Sequence, residues 1–419
     1  MYHVITTAWP LLLGMLLLMV GNGLQGSLLG VRGSAEGFSA ATMSIVMAGY
    51  FAGFLIASRT VPNMIRRVGH VRVFAALGSF ISAALILFPA FRDPIAWTLG
   101  RVVLGFCFCG VYITAESWLN NATSNETRGQ TLSAYMIVQM AGIIAAQGVL
   151  LIPDATGFLL FVIPSVLVSI SFAPILLTIQ PTPAFESTKP KTLKELYAVS
   201  PLGMVGMFLM GGVFAAQFGM AAVYGTQAGL TLGQISIFVA AFYVGALLLQ
   251  YPLGWLSDRF DRRRLIMMVA ALGAAAAAVA IFAGGAFTIL VTCAFVIGGC
   301  SNPLYSLLIA YTNDFLEPED MAGASAGLLF VNGVGAVAGP LIIGWGMQQI
   351  GPSGFFVLIT VLMSAVSLYA LYRMTQRPAT SVEEQSAYAK VMPSASPIAV
   401  EIAQDYYIDR SGEEEEEEE

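Results

Sequence analysis

Twelve stretches of this chain are each about as long and as apolar as a bilayer is thick. A helix rising 1.5 Å per residue crosses the roughly 30 Å hydrocarbon layer in about 20 residues. Runs of that kind occupy 8–31, 39–61, 72–91, 95–118, 130–152, 156–178, 200–225, 232–256, 264–284, 286–312, 323–347 and 353–373. Within lipid the backbone must satisfy its own polar groups, so runs of this length are helices. The expected fold is therefore all-α and integral to the membrane. Composition agrees: of 419 residues 57% are apolar and 11% charged, where a soluble domain carries about 45–50% and 25%. A soluble enzyme, a disordered chain and a nucleic-acid binder are excluded. The first run is too long and glycine-rich for a signal-peptide core, and no small-residue cleavage site follows it, so it reads as a retained span.

The longest internal connection, 180–199, carries Pro181, Pro183, Lys189, Pro190, Lys191 and Lys194. It divides the chain into a six-helix bundle over 1–179, a cytoplasmic linker over 180–199 and a second six-helix bundle over 200–374. Residues 375–419 hold twelve acids and three bases, ending in the seven glutamates Glu413–Glu419. Such a segment cannot bury a core and is expected to be a disordered cytoplasmic tail. The formal net charge of −6 is thus a basic body joined to an acidic appendage.

Lys and Arg set orientation. Arg32 and Arg92 fall in the loops after spans 1 and 3, Arg101 lies within span 4, and the other sixteen lie on the opposite side. Both termini are therefore expected in the cytoplasm, with the chain in a bacterial inner membrane. The triplets at Asn121 and Asn125 then fall on the cytoplasmic side and are chance matches to a glycosylation signal. Cys107, Cys109, Cys293 and Cys300 sit in apolar runs without C-x-x-C spacing and read as packing residues. His3 and His70 are too few for a metal site. No metal, cofactor or catalytic constellation is expected, and the chain reads as no enzyme.

Amides and charges inside a bilayer are costly unless they face protein or a wet path. They occur as Asn22 and Gln25 in span 1, Arg101 and Glu116 in span 4, Gln139 and Gln147 in span 5, and Gln217 in span 7. Gln250 is in span 8, Asn302 and Asn313 in span 10, and Asn332 in span 11. Spans 3, 6, 9 and 12 have none, and span 2 offers only Ser, Thr and Tyr50. Helices thus come in triplets whose third member faces lipid, which is a transporter layout with the site near the midplane. The halves also repeat. A shift of 193 residues places Tyr112 on Tyr305 and Asn120 on Asn313, and a shift of 201 places Gly53 on Gly254.

The run Gly254 to Arg264, GWLSDRFDRRR, resembles the loop signature G-x-L-x-D-R-x-x-R-R/K of the major facilitator superfamily. The first-half copy is degraded: Gly53 and Leu55 are kept, Ala57 holds the Asp position, and Arg66, Arg67, Gly69 and Arg72 arrive late. Arg101 to Gly105 resembles that family's R-x-x-x-G motif. Gly335 to Pro340 resembles its G-x-x-x-G-P motif, which exporters carry in span 5, so a drug exporter is disfavoured. Ala115 to Leu119 and Asn313-Asp314 resemble the YcaD-like branch. The resemblance covers about 1–374. It implies two pseudo-symmetric six-helix bundles, a small-molecule substrate moved by alternating access, and a monomer working in the lipid bilayer without nucleic acid or ATP.

The individual residues carry two readings each. Asp258, with Gly254, Arg259, Arg262 and Arg263, suits a conformational latch in which the carboxylate meets the N-terminus of span 5 near Gly129 and Gln130; the arginines alone would also set topology. Trp97 and Trp118 bracket span 4 as interface anchors. Arg101 then lies about 6 Å inside the outer boundary, where it can snorkel. On a helix Arg101 and Tyr112 are about 20° apart and Glu116 about 60° from Arg101, so all three can line one path. Glu116, the one acid in a span, is the proton-coupling candidate by elimination; a structural ion pair is the plainer reading. Asn22, Gln25, Gln139, Gln217, Tyr243, Gln250, Asn302 and Asn332 either converge on that path or hydrogen-bond between helices. Gly26/Gly30, Gly49/Gly53 and Gly335/Gly339 read as close helix contacts. The functional expectation is a secondary transporter of a small neutral or weakly charged solute, with proton coupling through Glu116. The alternative is a non-transporting membrane sensor on the same fold that signals through its acidic tail.

Overall fold

A computed structural model describes residues 2–121, 125–152, 157–176, 191–283 and 286–376, and beyond them only positions 388, 391 and 400. Among the described residues every regular element is a helix. Numbered to match the twelve spans, these are α1 (Tyr2–Ala35), α2 (Ala40–Val68), α3 (His70–Ala90), α4 (Pro94–Asn121), α5 (Asn125–Val149) and α6 (Leu159–Leu176). The second set is α7 (Pro201–Gln227), α8 (Leu232–Ser257), α9 (Arg262–Ile281), α10 (Phe287–Asn313), α11 (Pro318–Ile350) and α12 (Gly354–Met374). Eleven are long and apolar enough to cross a membrane, and α6 is a shorter apolar helix. A short helix, Leu193–Val199, lies in the linker; Thr192 and Glu195 form a reciprocal capping box at its start. Lys191 ties this linker to the start of α11 through Asp320 at 2.7 Å.

Within the first set α1 packs on α5 and α6, α2 on α4, and α3 on α4 and α6. The second set repeats the scheme, with α7 on α11 and α12, α8 on α10, and α9 on α10 and α12. The halves meet where α2 faces α11, α1 faces α7 and α5 faces α8. The repeat is visible at single residues. A Cβ on Gly53 would collide with the Val102 carbonyl and one on Gly105 with that of Tyr50. In the second half Gly245 stands in the same way against Phe295, and Gly298 against Phe242. Backbone therefore touches backbone at matching crossings of α2 with α4 and of α8 with α10.

Gly53 matches Gly245, so the 201-residue shift that pairs it with Gly254 is corrected to 192. At this register Asp258 corresponds to Arg66, not to Ala57, and Arg262 to His70; His70 opens α3 as Arg262 opens α9. The first-half signature has thus lost its acid to a base.

Of the long helices α3, α9 and α12 are the least buried and α1 and α4 the most. Phe80 and Leu87, Val166 and Ile170, Leu272 and Val279, and Leu368 and Leu371 stand exposed on α3, α6, α9 and α12 respectively. Every third helix does present its apolar side outward. Trp97 is corrected: it is buried and donates its indole N–H to the Phe88 and Phe91 carbonyls at 3.0 and 2.7 Å, closing the α3–α4 corner. Trp118 is buried too, beside His70 and Phe74. The four cysteines are buried and unpaired. The three described positions beyond 376, Tyr388, Val391 and Val400, are all buried; the rest of the acidic segment, and with it the expectation of disorder, lies outside the described residues.

Candidate functional site

The glycine of the R-x-x-x-G run builds one end of the site. Because Gly105 lets α4 touch α2 at Tyr50, the Tyr50 ring lies under the Arg101 guanidinium, 4.7 Å from its centroid. Such a contact stabilises a desolvated cation. Arg101 is fully buried and does not snorkel. Its Nη1 donates to Gln25 Oε1, while its Nε and Nη2 have no hydrogen-bond partner. Gln25 Nε2 donates to Asn22 Oδ1 at 3.1 Å, as the three-residue spacing on one helix face allows. Asn22 Oδ1 also accepts the Tyr50 hydroxyl at 3.2 Å, and Asn22 Nδ2 donates to the Tyr112 hydroxyl at 2.6 Å. Three helices, α1, α2 and α4, thereby share one buried network.

The second half closes on this network with aromatic rings. Phe218 lies in the π-helical turn Ala216–Met220 of α7 and sits 5.3 Å from the Tyr50 ring. Such turns are frequent at functional positions. Neighbouring Gln217 donates to Ser301 on α10 at 2.8 Å. Tyr243 on α8 lies within electrostatic reach of Tyr50. Gly26 and Gly30 let α1 approach α7 closely at Phe218 and Ala222.

Glu116 anchors a second buried group, fifteen residues from Arg101 and so about 22 Å along α4. Its Oε1 accepts the Tyr135 hydroxyl of α5 at 3.1 Å. Gln139 stands beside Tyr135, and Tyr305 of α10 lies within reach of the Glu116 charge from the other half. The Tyr305 hydroxyl and the Gln139 amide oxygen are buried without a hydrogen-bond partner. His70 joins here through Ser117 Oγ at 3.0 Å.

The remaining candidates separate. Asn332 Nδ2 bonds the Met207 carbonyl at 3.0 Å and ties α11 to α7; Asn302 Nδ2 bonds the Gly298 carbonyl of its own helix at 3.5 Å. Both act on backbone. Gln250 reaches Ser306 Oγ and the Tyr388 hydroxyl at 3.2 and 3.0 Å, toward the arginine-rich end and away from Arg101. Tyr50, Tyr135 and Tyr305 are site residues that the count of amides and charges overlooks. Tyr305 was reachable through its repeat partner Tyr112.

The five latch residues also divide. Arg262 forms a buried ion pair with Asp314 at the end of α10 and donates Nε to Ser257 Oγ at 3.0 Å. It braces one half internally. Arg263 and Arg264 pair with Asp261, and Arg259 lies 4.3 Å over the Trp255 ring. Asp258 accepts the Tyr388 backbone N–H at 3.2 Å, and the Tyr388 ring lies against Gly254. The side chain environment of 129 lies outside the described residues, although α5 and α8 do pack together.

Among the described residues no cluster of His, Cys, Asp or Glu could hold a metal ion. The sequence profile of the Major Facilitator Superfamily matches residues 11–236 and 203–400. Two curated relatives are the uncharacterised MFS-type transporters YfkF of Bacillus subtilis strain 168 and YcaD of Escherichia coli strain 536. The first is 26% identical over 84% of this chain and 92% of its own length; the second is 27% identical over 83% and 91%. Among solved structures, the nucleoside transporter NupG superposes with a TM-score of 0.68 at 15% identity, over 90% of this chain and 99% of its own. A bacterial homologue of the human lysosomal transporter Spinster superposes with 0.66 at 14% identity, over 98% and 97%. Eleven long apolar helices and a shorter one among the described residues, arranged in two matching halves, a buried polar interior and a family profile spanning both halves agree: the chain is a multi-pass membrane transporter and belongs to the major facilitator superfamily.

Proposed function

We propose that this transporter moves a small, neutral or weakly charged solute across a bacterial inner membrane by alternating access, with both termini in the cytoplasm. The observation that carries this reading is the buried polar network of Arg101, Gln25, Asn22, Tyr50 and Tyr112, faced by Phe218 and Tyr243 from the other half. A solute held between the halves is released when they rock apart at one end and close at the other. Proton coupling runs through Glu116. A carboxylate deep in a bilayer is costly when charged, so a proton taken up from one side neutralises it for the crossing and leaves on the other. Tyr135 on its own half and Tyr305 on the opposite one sense that change in charge.

The test uses inside-out vesicles and a pH-sensitive dye, challenged with a panel of amino acids, sugars, nucleosides and small carboxylates. At least one solute should collapse an imposed pH gradient. Glu116→Gln should abolish that response while solute counterflow survives. A Glu116→Gln variant that stays fully gradient-driven sinks the proton role, and a panel without any mover sinks the solute class.

A further inference from the structure

Arg101 presents an empty fork. Its Nη1 is taken by Gln25, but Nε and Nη2 are buried without a hydrogen-bond partner among the described residues. Those two N–H groups lie on the same edge of the planar guanidinium. They form the parallel pair that one carboxylate occupies with both oxygens. No carboxylate among the described residues pairs with Arg101. An uncompensated cation at this depth is costly, and a ligand that supplies two acceptors removes the cost. The surroundings are aromatic: Tyr50 under the guanidinium, Phe54 and Phe108 at 6.3 and 6.4 Å from the Tyr50 ring, and Phe218 from the other half. We infer that the transported solute carries a carboxylate, held bidentately by Arg101 Nε and Nη2, with an apolar or aromatic body against Tyr50, Phe54 and Phe218. This deepens the transporter reading and rests on it.

The probes are benzoate, phenylacetate and lactate, each beside its amide, added to the purified protein at neutral pH. A carboxylate at saturation should raise the melting temperature by about 3 °C or more, and its amide should leave it unchanged. Arg101→Gln should remove the shift, and Arg101→Lys, a point charge without the fork, should keep only part of it. The inference is overturned if none of the acids stabilises the wild type, if amides match acids, or if Arg101→Gln responds fully. Counterflow in proteoliposomes separates the two failures. Amides moved without acids leave a transporter and remove the fork. Acids that stabilise but are not moved leave the fork and remove the transporter reading.

Discussion

Asp314→Asn isolates the worth of one buried charge pair. Arg262 opens α9 and Asp314 caps the end of α10, so each charge sits at the unfavourable end of its helix dipole. Their side chains are 1% and 2% exposed. Neither charge gains from its own helix dipole, and within the pair each neutralises the other. The asparagine is nearly isosteric and removes only the charge. Leaving one partner of a buried pair uncompensated costs about 3–5 kcal/mol. For a unit the size of one half, each kcal/mol moves the melting temperature by about 2–4 °C, so the variant should melt roughly 6–20 °C lower. The four native cysteines are buried and unpaired, so a thiol-reactive dye reports unfolding without added labels. Adding Arg262→Gln should restore much of the loss, because both misplaced charges are then gone. A drop under about 2 °C for Asp314→Asn, or a double variant as low as the sum of the singles, would falsify the neutralisation argument.

Tyr50→Phe removes one donor to Asn22 and leaves the ring under Arg101, so it should cost about 1 kcal/mol; Tyr50→Leu loses the cation contact as well and should melt lower in the same dye assay. Gly344→Val sets a side chain against Ser44 where α11 meets α2, far from the arginine-rich end. It should pry the halves apart there and raise maleimide labelling of a cysteine placed at Ala40; unchanged labelling would refute that seal. The Glu195 carboxyl is held below its ordinary range, chiefly by the Thr192 hydroxyl and then by its backbone N–H. A depressed carboxylate stabilises its helix above the unfolded pKa and loses that contribution as pH falls through the folded one. Protection of the 191–200 amides, taken as the exchange rate relative to the intrinsic rate at each pH, should therefore fall on acidification, and Thr192→Ala should flatten that pH dependence.

Spacing on one helix carried the parts of this molecule that could be read in advance. Twelve apolar runs each fell in one helix, the amide-free spans turned their apolar sides outward, and Asn22, Gln25, Arg101 and Tyr112 met as their helical phases implied. What spacing omits is which partner each side chain meets. Asn302 and Asn332 differ from Asn22 only in finding a backbone carbonyl within reach. Tyr50, Tyr135 and Tyr305 hide among apolar residues because most of a phenol is hydrocarbon. Trp97 looked like an interface anchor until α3 supplied two carbonyls for its N–H. The contacts of Tyr388 and Val391 lay out of reach because composition does not say which side chains of an acidic stretch meet Gln250 and Ser306.

The glycine crossings at 53, 105, 245 and 298 divide the molecule into what can vary and what cannot. At these points one main chain rests on another, so any side chain larger than hydrogen forces two helices apart whatever the protein carries. The rings around Arg101 have no such constraint; they can change size or polarity with the bundle intact. New substrates would then arise by repainting the chamber between unchanged posts. A relative that carries a different solute should keep these four glycines and differ at Tyr50, Phe54 and Phe218.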